Sequence, residues 1–250
     1  MKKFNAFQLK LFMVILMVFD HLENIPGLLP AWLPEIFHVL TRCVAPLFAF
    51  MAVEGFIHTR SRFKYNARLF IWSAIMFGGN TIINKVIGKA GLFVQNNIIF
   101  TLACGVLVLN VWCYKIHDKH KNAKLLKTTK VIIAIPVTLI ACIAYEGSLV
   151  VVPFMLICYF FRNNIKARNI YALIFGFILF FSSINIMQSL EMTIKMMMYN
   201  SDWLFITVLP IISLYNGERG SNSIFTKYFF YIFYPLHLWI ISLIAYVSVM

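Results

Sequence analysis

Acidic side chains are scarce in this chain, with nine Asp and Glu among 250 residues against 22 Lys and Arg. Charge of either sign is scarce as well, at 12%, about half the share of a soluble globular chain. No linker or internal repeat interrupts the sequence, which argues against separate soluble modules. No Gly-rich phosphate loop of the Walker or Rossmann type is present, so any nucleotide site would be of a non-standard kind. The five cysteines, Cys43, Cys104, Cys113, Cys142 and Cys158, all fall in apolar segments without metal-ligand spacing. They read as small buried hydrophobes, not as a disulfide framework or a metal site. At Cys43, beside Arg42, a thiolate nucleophile competes with a packed core thiol.

What the chain has in abundance is apolar surface. Hydrophobic residues make up 61%, mean hydropathy is +0.82, and 25 Phe are spread over the whole length. One all-α integral membrane domain over residues 1–250 is expected, multi-pass in a cell membrane, plasma or bacterial inner. The opening MKKF with its apolar continuation lacks a small-residue cleavage site and reads as an uncleaved first span. About 20 apolar residues are needed to cross a bilayer. On that measure nine spans are predicted: 9–25, 35–58, 67–87, 95–115, 130–146, 148–162, 169–187, 202–215 and 227–248. A tight turn falls at 146/147.

Lys and Arg gather on the cytoplasmic side of membrane proteins. With the N-terminus inside, that side receives Lys2, Lys3 and Lys10, then Arg60 to Arg68, the run Lys115 to Lys130, Arg162 to Arg168, and Arg219 with Lys227. The other side receives only Lys85, Lys89 and Lys195, together with Glu23, Glu35, Glu146, Glu191 and Asp202. An odd number of spans with the C-terminus outside follows. The net charge of +13 is then mainly a topology signal, because the basic residues alternate with spans and form no single nucleic-acid surface.

Against this apolar background, Asp20 and His21 stand out inside the run LKLFMVILMVFDHLENI. Ionisable residues at membrane depth are costly and mark function by default. At about 1.5 Å of rise per residue, His21 lies roughly 16 Å from the inner boundary and His237 roughly 15 Å. The two histidines therefore share a level near the membrane centre. Asn80 falls close to that level, Arg42 in the outer half of its helix, and Glu54 near the inner mouth. Asp20 points about 100° away from His21 around the helix. It is suited to pairing with Arg42, an internal ion pair that lets both be buried and can also orient His21. Asn80 and Asn84 either glue helices by hydrogen bonds or meet a substrate. Asn96 and Asn97, heading the fourth span, carry the same two readings. His237, two residues after Pro235, is either a satisfied histidine beside a kink or a functional one. His21 is the leading candidate, since imidazole carries protons or acts as general base near neutral pH.

A second cluster ends the second predicted span, where Glu54, Gly55 and His58 precede Arg60, Arg62, Lys64, Tyr65 and Arg68. The positive-inside rule explains the cations, yet several cations beside aromatic rings would also suit the phosphates of coenzyme A.

The string ending in Asp20-His21, the stretch APLFAFMAVEGFIHTR with Tyr65 and Arg68 after it, NNIIFTLACG, and the terminal YFFYIFYPLHLWII together resemble the TraX family. The resemblance runs from the first span to the last, with a weakly matching middle between about residues 115 and 200. Members are polytopic membrane proteins, and the name-giving one acetylates the N-terminus of the conjugative pilin. The family in turn resembles, distantly, membrane acyltransferases such as heparan-α-glucosaminide N-acetyltransferase. Those enzymes pass an acetyl group from cytoplasmic acetyl-CoA to an acceptor on the far side through an intramembrane histidine. The resemblance gives His21 that histidine's part.

The expected function is therefore acyl transfer from acetyl-CoA or another acyl-CoA to a peptide, lipid or cell-wall acceptor, with no metal and no nucleic acid involved. The thioester would dock at Glu54, His58, Arg60, Arg62, Lys64, Tyr65 and Arg68. His21 would act as base or nucleophile, and Arg42, Asn80 or His237 would stabilise the oxyanion. Two other classes compete. A proton-coupled transporter would use Asp20 and His21 as a relay, though matched broken helices are lacking. A non-catalytic assembly or immunity protein would use the polar residues to bind a partner helix.

Overall fold

Each apolar run folds as helix in the structure, a computed structural model that describes residues 3–116, 122–221 and 223–250. Lys2 and the 117–121 part of the basic run lie outside the described residues. Among the described residues the only strand-like pairing is one parallel bridge between Phe4 and Tyr215.

The first helix, α1 (Ala6–His21), starts at a capping box: the Asn5 side chain accepts from the Gln8 amide while the Gln8 side chain accepts from the Asn5 amide. It stops at His21 because a 3₁₀ turn follows over Leu22–Asn24 and then Pro26 and Gly27 (φ +74°), which cannot continue a helix. The second predicted span is two helices, α2 (Leu33–Thr41) and α3 (Val44–His58). The physical cause of the break is Pro46, which has no N–H to offer the Arg42 carbonyl four residues back. Next come α4 (Arg62–Ile87), α5 (Ile98–Trp112) and α6 (Ala123–Ile143). Ser61 and Asn97 cap α4 and α5 through their side chains. Gly147, in the left-handed region at φ +64°, makes the tight turn into α7 (Ser148–Phe160). The chain then runs through α8 (Ile165–Ser183), α9 (Leu190–Tyr199), a 3₁₀ segment Ser201–Thr207, α10 (Val208–Ser213) and α11 (Ile224–Val249).

Five of these segments are long and apolar enough to cross a membrane: Leu33–His58, Arg62–Ala90, Ala123–Ile143, Ile165–Ser183 and Ile224–Val249. The other four predicted spans fall on shorter helices of 16 residues or fewer. At about 1.5 Å per residue, α1 is roughly 24 Å long, a little short of the ~30 Å hydrocarbon layer. One element was not expected at all: α9, which follows the predicted seventh span. Also, α6 begins seven residues before its predicted start, inside the basic run.

The core lies where α3, α5 and α7 meet, around fully buried Leu47, Phe56, Val106, Leu109, Phe154 and Met155. In contrast, only 11% of the apolar window of α6 is buried. Its exposed Ile132, Leu139, Ile140 and Ile143 form an outward rim that suits contact with lipid. In lipid there is little hydrophobic drive for helices to associate, so close packing has to hold them. At Gly79 of α4 a Cβ would come within 2.0 Å of the Trp239 ring, so only glycine lets α11 approach so near.

Candidate functional site

The end of α1 meets the middle of α11. The rings of His21 and His237 stand 5.4 Å apart between centroids, inclined by 44°, so the two histidines are neighbours. His21 does not lie within a helix, however, but closes one, its carbonyl accepting from the Asn24 side chain at 3.1 Å. His237 is the thirteenth residue after the start of α11, near its midpoint, and is 6% exposed. Its Nδ1 lies 3.0 Å from the Phe233 carbonyl oxygen. A carbonyl only accepts, so Nδ1 carries the proton and Nε2 of the neutral ring presents a lone pair. That Nε2 is buried without a hydrogen-bond partner. Phe233 stacks on the ring at 13° and fixes its plane.

Asp20 faces α2. Its Oδ1 accepts from the Thr41 hydroxyl at 2.5 Å and lies 3.9 Å from Arg42 Nη2, the ion pair expected from the sequence. Arg42 is anchored more firmly elsewhere: Nε donates to the His38 carbonyl at 2.9 Å and Nη1 reaches Asp202 at 3.5 Å. His38 completes the corner. Its Nε2 donates to the Tyr199 carbonyl at 3.0 Å, leaving Nδ1 to accept from Arg42 Nη2 at 3.2 Å. Segment 199–202 is thus latched to α2 beside Asp20. His38 was not singled out from the sequence, although its i, i+4 spacing to Arg42 was there to be read.

The asparagines serve mainly as joints. Asn80 accepts from the Trp239 indole at 2.8 Å and donates to the Asn96 carbonyl at 3.2 Å, tying α4 to α11 and to the strap before α5. Asn84 bonds both backbone groups of Val94. Asn97 donates to the Ser73 carbonyl at 3.0 Å and caps α5. Asn96 donates to Glu146 Oε1 at 2.6 Å while the Asn97 amide donates to Oε2 at 3.1 Å. Glu146, assigned from the sequence only to the outer face, therefore sits at the α5 N-terminus, where a helix favours negative charge. Its charge reaches His21 and Tyr234. The neighbouring Tyr145 phenol, in the turn between α6 and α7, is pushed up by burial and by the Glu146 carboxylate.

At the opposite end of α3 the second cluster assembles in part. Arg42 and Glu54 are twelve residues apart, about 18 Å along the helices. The Tyr65 hydroxyl packs over Gly55, 2.8 Å from where a Cβ would stand, and donates to the Ala52 carbonyl at 3.3 Å. The Arg62 guanidinium lies 4.5 Å over the Phe56 ring and that of Arg68 5.4 Å from Tyr65. Arg68 Nε is buried without a partner. His58 Nδ1 bonds the Glu54 carbonyl at 2.9 Å, and Arg60 and Lys64 are exposed. Arg168 of α8, not among the residues expected to bind a ligand, is buried nearby and holds Asn169 through Nε and Nη2. Its charge and that of Glu54 interact.

A helical membrane bundle with a histidine pair at one end and arginines stacked on aromatic rings at the other defines the class. Within it, residues 6–245 match the sequence model of the TraX family, described as TraX protein, and the chain belongs to that family. The match runs through the middle region as well as the motif-bearing ends. The chain is 27% identical over 247 residues to the probable fimbrial assembly protein FimC, serogroup H1, of Dichelobacter nodosus, covering 94% of this chain and 93% of that protein. No solved structure matches it.

Proposed function

We propose that this protein is an acyltransferase of the cell membrane, moving an acetyl or other acyl group from a coenzyme A thioester to an amine or hydroxyl acceptor. The observation that carries the reading is the His21–His237 pair, with the lone pair of His237 Nε2 unengaged and fixed in direction. A general base needs such a lone pair aimed at the proton it takes. His21, half-buried at the end of α1, is placed to receive that proton or to meet the acceptor first. Asp20, Thr41 and Arg42 hold the end of α1 in register. The basic cluster around Arg62, Arg68 and Arg168 supplies cations and ring faces for a phosphate-bearing adenine nucleotide, close to Glu54, which is about 18 Å along the helices from Arg42. A pantetheine arm is the kind of extended chain that bridges such a gap. A relative described as a probable fimbrial assembly protein favours a fibre subunit's N-terminal amine as acceptor.

In the reaction the amine nitrogen attacks the thioester carbonyl carbon and gives its proton to the imidazole. The tetrahedral intermediate then collapses, the C–S bond breaks, and the departing thiolate takes that proton to leave as the free thiol. Protein reconstituted in lipid with radiolabelled acetyl-CoA and a synthetic amine peptide tests the proposal. Transfer should fall by about 10²–10⁴-fold in His21→Ala and in His237→Ala, with elution volume and helical signal unchanged. Full transfer in both variants would overturn it and favour a non-catalytic assembly role.

A further inference from the structure

Two buried groups on α11 are each short of one partner. His237 Nε2 is an acceptor without a donor. Three residues earlier Tyr234, 7% exposed, accepts from the Ile98 amide at 3.0 Å through its hydroxyl oxygen, and among the described residues its own proton has no acceptor. The rings are 5.7 Å apart between centroids. A side chain that only tied α11 to α5 would need nothing more than the bond to Ile98. An unmet donor and an unmet acceptor one helical turn apart, both buried, cost stability unless something bound satisfies them.

A group that serves both atoms accepts from Tyr234 and donates to His237. A tetrahedral intermediate of acyl transfer to an amine does both, since its oxyanion accepts and its N–H donates, the two atoms being held on one carbon. Resting on the acyltransferase reading, we propose that the Tyr234 hydroxyl is a second catalytic group, donating to the carbonyl oxygen of the thioester as it becomes the oxyanion. When the amine nitrogen attacks, the C–N bond forms and the carbonyl π pair moves onto oxygen beneath the Tyr234 O–H. The amine proton passes to His237 Nε2. Re-formation of the C=O expels the thiolate, which is protonated by the imidazolium, and Tyr234 keeps its own proton throughout.

The support behind Tyr234 makes it a fixed donor. Its oxygen is held by the first amide of α5, an end that Asn97 caps and that Glu146 grips through Asn96 and the Asn97 amide. Pro235 next in sequence removes the N–H that would bond the Tyr231 carbonyl, so α11 is free to deviate there and set the angle between Tyr234 and His237. A donor already in place gains strength as charge develops on the oxygen, which is where catalytic electrostatics has its largest effect.

Tyr234→Phe removes the O–H and leaves the ring. In reconstituted protein, kcat should fall by about 10²–10³-fold while KM for acetyl-CoA stays within a small factor. Incorporation of 3-fluorotyrosine at 234, which keeps the hydroxyl and makes it a stronger hydrogen-bond donor, should restore transfer to at least the parent's kcat. If Tyr234→Phe turns over like the parent and is merely less heat-stable, the hydroxyl is only a tie to Ile98 and the inference falls alone. Should the Phe variant fail to fold, a folded fluorinated protein whose kcat falls below the parent's overturns it equally. If the parent protein itself transfers no acyl group, the underlying reading falls and this role falls with it.

Discussion

Arg42 carries more of the local order than its distance to Asp20 suggests. The contact at 3.9 Å is long for an ion pair, whereas the bonds to the His38 carbonyl and to Asp202 tie α2 to its own last turn and to segment 199–202. Arg42→Met should therefore destabilise the protein by about 1–3 kcal/mol, because it strips a shared donor from three acceptors in a partly buried corner. Asp20→Asn should cost less, since an amide oxygen can still accept from Thr41. Thermal unfolding in one detergent, comparing both variants with the parent, checks the ranking. This corner was half legible from sequence: Asp20 needed a cation and Arg42 needed an anion, and apolar surroundings left few choices. His38, Glu146 and Tyr234 were not legible. Each is an ordinary residue for a helix end or interface, and its importance arises from a carbonyl, an amide or a ring brought in from 49 to 161 residues away.

Helix lengths separate what composition predicts from what packing decides. Apolar runs located nearly every helix, because burial in lipid or protein makes the same demand on each. Their ends were less predictable. Pro46 lies within an apolar run and leaves hydropathy unchanged, yet it divides α2 from α3. The helix α9 has Lys195 and Glu191 paired at 3.2 Å on an exposed face among Met residues, a mixture that reads as loop by hydropathy alone. Close approach is equally invisible to composition, as the α4–α11 contact shows. Gly79→Ala should cost about 1–3 kcal/mol through overpacking against Trp239, with loss of the indole bond to Asn80. The adjacent Gly78, whose added Cβ would meet nothing within 4 Å, is the internal control: Gly78→Ala should be neutral or slightly stabilising. Equal losses at both positions would contradict the packing account.

Charge is segregated over the whole molecule. Asp20, Glu23 and Asp202 gather around Arg42 and His38, with Glu146 near His21, while Lys10, Arg62, Arg68, Arg168 and Arg219 collect toward the other end of α1 and α3 with Glu54 and Glu218. The positive-inside rule would put the arginine cluster toward the cytoplasm and the histidine pair on its outer side. A cysteine placed at Lys195 should react with a membrane-impermeant maleimide in intact cells, above the background of the parent's five thiols. One at Lys64 should react only after permeabilisation. The reverse pattern would invert the orientation and, with it, the side from which a thioester could arrive.

The segment just before α1 is fastened to the last third of the chain. Lys3 and Phe4 donate to the Leu214 carbonyl, Ala6 to that of Glu218, and Asn216 to that of Phe4. During synthesis at about 5–20 residues per second, the ribosome needs roughly ten to forty seconds to pass from His21 to His237. Through most of that interval α1 has α2 and α3 beside it but lacks its strap and α11. A chain that stops short of Leu214 therefore lacks both the strap on α1 and the His21–His237 contact.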